Sequence, residues 1–178
     1  MGDFKRAHAF VKKWEGGFDD HPADPGGVTN YGVSLAYLRD HKLIDGDLNG
    51  DGVIDRKDIL AMTPEKAAEL FKKDFWDSNK LDTVPDRVAI VAYDTGVNMG
   101  VGYARKLVQQ ALGVTVDGVW GPKTRAALSA CSDLITAQNM IELRQERYLG
   151  IVSKRPASRV FLKGWLNRLA ALRVEVSK

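Results

Sequence analysis

The chain has 178 residues, 44% of them hydrophobic and 28% charged, with a formal net charge of +3. That length holds one sizeable domain or two small ones, and the composition excludes a disordered chain. No run approaches the roughly 18 apolar residues of a spanning helix, which excludes a helical membrane span. The mild positive charge suits an acidic polymer such as a cell wall, but falls short of the clustered lysine and arginine of a nucleic-acid footprint. The single cysteine, Cys131, cannot close an internal disulfide and reads as a small buried residue on a helix. The stretch Met1 to His8 lacks the apolar segment of a secretory signal. The expectation is therefore a monomer made in the cytoplasm.

Phe4, His8 and Val11 fall at helical spacing behind Asp3, which predicts a first helix over about 3–15, stopped by Gly16-Gly17. Asp19 to Val33 is crowded with Asp, Pro, Gly and Asn, the composition of tight turns around a short extended piece near 25–33. Ser34 caps a helix to about His41; Thr63-Pro64 opens another that runs to about Trp76. Val88 to Tyr93 is apolar almost all round, the mark of a helix buried in the middle of a domain. Further helices are predicted over 104–112, 122–130, 133–154 and 160–176, the last packing through Phe161, Leu162, Trp165 and Leu169.

The chemistry gathers at Trp14-Glu15-Gly16-Gly17-Phe18 and Asp24-Pro25-Gly26-Gly27-Val28-Thr29. Cleaving a glycosidic bond takes one protonated carboxyl to donate to the leaving oxygen and usually a second carboxylate to steer water or stabilise positive charge. Glu15 suits the first task, since desolvation beside Trp14 would favour its protonated form. Asp24 suits the second, with Thr29 helping to position the water. Each fragment also has a plain reading: a helix C-terminus with a solvated glutamate, and an ordinary Asp-Pro-Gly turn.

The run Glu15-Gly16-Gly17-Phe18 and Asp24 to Val33, with Phe75-Trp76-Asp77 and Tyr93-Asp94-Thr95-Gly96-Val97-Asn98-Met99-Gly100, resembles the glycoside hydrolase family 108 muramidases of phage endolysins and bacterial lysozymes. The resemblance implies a mainly α, lysozyme-like fold that hydrolyses the β-1,4 bond between N-acetylmuramic acid and N-acetylglucosamine. It places the catalytic acid at Glu15 and a Glu, Asp, Thr constellation over Glu15, Asp24 and Thr29, although Thr29 sits one residue nearer the aspartate than the phage lysozyme pattern has it. Tyr31, Tyr93 and Asn98, with Asp94, are the candidate substrate-side residues. A holin-assisted route to the wall is implied by the family alone. A lytic transglycosylase using the same glutamate and a non-catalytic wall-binding module are the rival readings.

Asp47, Asn49 and Asp51 take positions 1, 3 and 5 of a twelve-residue calcium loop, followed by Gly52 at 6, the Val53 carbonyl at 7, Asp55 at 9 and Asp58 at 12. Oxygen side chains at alternate positions wrap a hard cation, so a structural Ca2+ is expected. Asp58 stands where the EF-hand has Glu, which makes the loop resemble the dockerin type. Catalysis by an acid and a water calls for no cofactor.

Asp117-Gly118-Val119-Trp120-Gly121-Pro122 resembles the turn of peptidoglycan-binding helical modules, with Trp120 either a sugar platform or a core anchor. Arg144, Arg147, Lys154, Arg155 and Arg159 could form a basic face toward the wall. No Pro/Gly/Ser-rich linker precedes this half. The organisation expected is a catalytic region over 1–100 and a docked, peptidoglycan-binding-like helical region over 101–178.

Overall fold

The computed structural model describes residues 1–15, 28–41 and 45–178, which form two compact units, Val11–Lys72 and Met1–Phe10 with Lys73–Lys178. The chain is mainly helical with a small two-stranded sheet, the make-up of a lysozyme-like fold.

In the unit Val11–Lys72, helix α1 (Phe4–Lys12) ends with the Val11 carbonyl accepting the N–H groups of Trp14 at 2.8 Å and Glu15 at 3.1 Å. Strands β1 (Thr29–Asn30) and β2 (Val33–Ser34) pair antiparallel, Thr29 opposite Ser34 and Asn30 opposite Val33. The two residues between them, Tyr31 and Gly32, have φ of 50° and 79°. Positive φ at both central positions matches the right-handed twist of a short hairpin. Ser34 closes the ribbon and caps α2 (Leu35–Asp40), its hydroxyl accepting the Tyr37 N–H at 3.1 Å. Asp55 and Asp58 make a reciprocal capping box for α3 (Arg56–Ala61), and Thr63 caps α4 (Pro64–Phe71), with Pro64 where a missing N–H costs nothing. Val33, Leu38, Ile59, Leu70 and Phe71 are buried.

The expected helix to Trp76 does reach that residue, but its last five residues, Lys72–Trp76, wind as a wider π turn. Two 3-10 turns, Asp77–Asn79 and Leu81–Thr83, follow on either side of Lys80, itself at φ 52°. The centre of the larger unit is α5 (Asp86–Met99), buried continuously from Val88 to Gly96 and longer than the apolar stretch that announced it. It packs against α6 (Val101–Ala111), α8 (Asp133–Lys154) and α9 (Arg159–Val176); α7 (Pro122–Ala130) precedes α8. Pro85 has no side chain with which to cap α5. Asp133, from the first turn of α8, supplies the cap instead, accepting from Val88 N at 3.0 Å and Arg87 N at 3.1 Å. Arg6 of α1 bridges Asp86 at 2.6 Å and Glu175 of α9 at 3.0 Å, so the ends of α1, α5 and α9 meet in one ion network.

Two packing expectations change. Phe161 does not pack the last helix down: it is 60% exposed and stacks on Trp165, which in turn stacks on Tyr148, while Leu169 and Leu172 carry the burial. Cys131 is half-buried at the end of α7 with its thiol toward the Leu128 carbonyl, because the helix stops at Ala130 and turns it outward. None of the described helices is long and apolar enough to cross a membrane.

Candidate functional site

Glu15 lies one turn beyond the end of α1, half-buried, and the hairpin turn rests on its stem. A Cβ placed on Gly32 would meet Glu15 Cβ at 3.0 Å, Glu15 Cγ at 3.1 Å and Phe71 Cζ at 3.2 Å. Position 32 therefore has two reasons to be glycine, the left-handed φ and the lack of room. Phe71 is also close to the ring of Tyr37, 6.2 Å between centroids, which makes one wall beside the glutamate aromatic. The ribbon is itself pinned, since Asn30 Nδ2 donates to the Ile59 carbonyl at 3.1 Å.

Tyr31 stands at the tip of the turn, 37% exposed and in a left-handed conformation that a bulky side chain seldom adopts. Such outliers persist where the surroundings over-determine them, and they gather at ligand sites. Thr29 is half-exposed on β1, paired through its backbone with Ser34. The structure thus brings Glu15 and the Tyr31-Gly32 turn together and sets Thr29 on the same ribbon. Asp24, with Gly16, Gly17 and the turn through Gly27, lies outside the described residues.

Tyr93, Asp94 and Asn98 belong to the other unit, and all three are engaged. Tyr93 is fully buried, ringed by Phe4 and Trp76 at centroid distances of 5.7 Å, with its hydroxyl 2.9 Å from His8 Nδ1. With no exposed surface, its part is to hold α1 against α5, not to touch a sugar. Asp94 is fully buried and receives Arg144 Nη1 at 2.6 Å on one oxygen and Arg168 Nε at 2.9 Å on the other. Arg144 also donates to Thr95 Oγ1 and to the Tyr148 hydroxyl, which donates in turn to Asn98 Oδ1 at 2.9 Å. Burial works against the Arg144 charge, yet Asp94 and Tyr148 hold its pKa above the ordinary value. The Asp94-Thr95-Asn98 face of α5 is thus directed at α8 and α9. Arg144, expected on a basic surface, is instead a core residue, because the only buried acid on α5 faces it.

The Asp47–Asp58 loop spends its oxygens on its own backbone. Asp47 accepts the N–H groups of Gly50, Asp51 and Gly52, the inward turn that position 1 of such a loop requires. Asp58, fully buried, accepts from Leu48, Asn49 and Asp55. The Val53 N–H, then Lys57, hold the Asp51 carboxyl below the ordinary range, and Lys57 Nζ lies 3.2 Å from Asp51 Oδ2. Among the described residues no three His, Cys, Asp or Glu side chains converge as metal ligands would. Three of the roughly four acceptor sites of Asp58 are thus taken by backbone N–H groups, and Lys57 lies against Asp51, so a cation here would compete with both.

The Asp117–Trp120 turn is organised by a residue that periodicity alone left anonymous. Gln109, fully buried on α6, donates to Asp117 Oδ1 at 2.7 Å and to the Val119 carbonyl at 2.9 Å, and accepts the Gly118 N–H at 2.7 Å. Those bonds, Gln109 first and the Val119 N–H second, hold the Asp117 carboxyl below its ordinary value. A buried glutamine on an otherwise apolar helix face was the one signal available for it. Trp120 is half-buried beside this turn, among Lys80, Arg105 and Arg125.

The family model described as Glycosyl hydrolase 108 matches residues 8–100, and the one described as Predicted Peptidoglycan domain matches residues 103–170. Among solved structures, SagA of Brucella abortus is similar at 30% identity and a TM-score of 0.77, over 97% of this chain and 92% of that one. No curated protein matches the chain. A single model that covers half the chain, together with a full-length structural relative, settles the kinship: the chain belongs to the glycosyl hydrolase 108 family.

Proposed function

We propose that the chain cleaves the β-1,4 bond between N-acetylmuramic acid and N-acetylglucosamine, with Glu15 as general acid. The coarser statement needs no proposal: a glycosyl hydrolase 108 region followed by a peptidoglycan domain is the composition of a peptidoglycan hydrolase. The observation that carries the finer one is the seat of Glu15, a half-buried residue whose stem lies against Gly32 of the hairpin turn, with the Phe71 ring beside the same glycine. In the reaction Glu15 gives its proton to the glycosidic oxygen as the bond to the anomeric carbon breaks. Water attacks that carbon and loses its proton to a second carboxylate, for which Asp24 is the candidate, with Thr29 as a hydroxyl partner. Tyr31 offers its ring to the glycan. Residues 1–100 are assigned the chemistry and 101–178 the hold on the wall.

The chain acts in this reading as a monomer on the bacterial wall, reached after release from the cytoplasm with the help of a holin. Calcium at Asp47, Asn49, Asp51, Val53, Asp55 and Asp58 is carried by spacing alone. Binding would have to draw Lys57 away from Asp51 and compete with the N–H groups on Asp58, so calorimetry showing no uptake at about 1 mM calcium removes that assignment. Mass spectrometry of a digested wall tests the reaction. Hydrolysis leaves muramic acid ends that have gained water, whereas anhydro ends identify a lytic transglycosylase and contradict the proposed attack by water.

A further inference from the structure

A cavity of about 210 Å³ opens beside Trp120, and its wall holds three cationic side chains, Lys80, Arg105 and Arg125, with no carboxylate among them. Arg105 is already oriented: its Nε donates to Asn79 Oδ1 and its Nη2 to the Ser78 carbonyl, each at 2.7 Å. Two of the five guanidinium N–H groups are thereby spent on fixing the fork, and three are left for a ligand. The side chains of Lys80 and Arg125 have no hydrogen-bond or ion-pair partner among the described residues. Lys80 is presented from a left-handed backbone, φ 52°, that a lysine seldom takes. The Trp120 indole N–H is buried with no acceptor among the described residues, a state that costs free energy until an oxygen arrives.

We propose that this cavity binds free carboxylates of the peptide stem of peptidoglycan, an inference that rests on the wall-hydrolase reading and names the part of the wall that this half of the chain recognises. Three cations without a carboxylate partner among the described residues call for an anion, and a prepared arginine fork suits the two oxygens of a carboxylate. The glycan backbone is uncharged where its lactyl groups carry peptides, so the charge of that repeat resides on the stem. The size agrees. A cavity below the roughly 300–1,000 Å³ of pockets for drug-sized ligands takes the end of a peptide and not a disaccharide repeat. The unpaired indole N–H adds a donor for one more oxygen, which gives Trp120 a reading role in place of a sugar-stacking one.

The test follows the Trp120 indole signal of the full chain by nitrogen-15 NMR, assigned by its loss in Trp120→Phe. The probe is a synthetic stem pentapeptide with free carboxylates; chitotetraose and glycerol phosphate are the neutral and phosphate comparisons. The peptide should shift the signal, and Arg125→Gln should weaken its binding by at least about tenfold while circular dichroism stays that of the parent. Should that variant unfold, Lys80→Asn removes a charge at a position where asparagine accepts the left-handed backbone. Silence with the peptide at about 10 mM, an equal shift by chitotetraose or glycerol phosphate, or unaltered affinity in the charge variants overturns the proposal. Purified sacculi separate the two levels. A chain that neither binds nor cuts them refutes the wall reading itself, whereas one that cuts them while its indole signal ignores the peptide refutes only this subsite.

Discussion

Glu15 and Asp94 both lie in stretches that resemble the muramidases, and their two surroundings are opposite. Asp94 is fully buried, with an arginine on each oxygen, and the residues beside it on α5 reach into the helices that follow. Glu15 is half-buried just beyond α1, against a short ribbon whose turn is tight, left-handed and open to solvent. On the proposed reading, two acids of comparable prominence divide between architecture and chemistry. Burial and the identity of the partners distinguish them, and neither is written in a motif.

The sharpest way to break this contrast is to remove the buried acid. Asp94→Ala leaves Arg144, itself fully buried and with an Nε that has no acceptor among the described residues, as an unpaired charge. Losing one member of a buried pair typically costs about 3–5 kcal/mol, so urea unfolding should show a loss of that order. A loss below about 1 kcal/mol would mean that the network is ornamental to the fold. Gly32→Ala probes the other side. It forces a Cβ into Glu15 and Phe71 at a positive φ, which should cost about 1–3 kcal/mol and lower wall hydrolysis beyond what the stability loss explains. Activity that falls only in step with folding would detach the ribbon from the chemistry.

Asp133→Ala should cost about 1 kcal/mol, the worth of a helix cap, because the first N–H groups of α5 then lose their acceptor. The smallest effect is on pH. Burial would raise the Glu175 carboxyl, but Lys178 and Arg6 outweigh it and hold it below its ordinary 4.5, while Gln109 and the Val119 N–H hold Asp117 below 3.8. A group depressed in the folded state stabilises the fold above its unfolded value and loses that contribution as pH falls through the folded one. Urea midpoints should therefore be level near about pH 6 and decline below about pH 4.5, with a shallower decline in Asp117→Asn. A midpoint that rises on acidification would contradict the sign.

Much of the fold was legible. The caps Ser34 and Thr63-Pro64, the apolar run Val88 to Tyr93 and the ribbon near Val33 all announce themselves through local chemistry, and the structure has them. What local chemistry cannot announce is the destination of a side chain that acts at long range. Arg144 reads as one basic residue among several, and only the position of Asp94, 50 residues away, makes it core. Asp133 looks like the start of its own helix, yet it caps a different one. Phe161 reads as core by its helical spacing, but it lies in the first turn of α9 and is exposed, while Leu169 and Leu172 farther along the same face are buried. At the candidate site Glu15 and Tyr31 were readable from the turn chemistry around them. Lys80, Arg105 and Arg125 were not, because they come together from three separate segments.

The central claim, that Glu15 supplies the proton, is tested most directly by the rate at which Glu15→Gln solubilises purified peptidoglycan. The substitution keeps the stem that the Gly32 turn rests on and removes only the transferable proton. Activity should fall by at least about two orders of magnitude, the contribution of general acid catalysis, while circular dichroism and unfolding remain those of the parent. Undiminished hydrolysis by the folded variant would contradict the account.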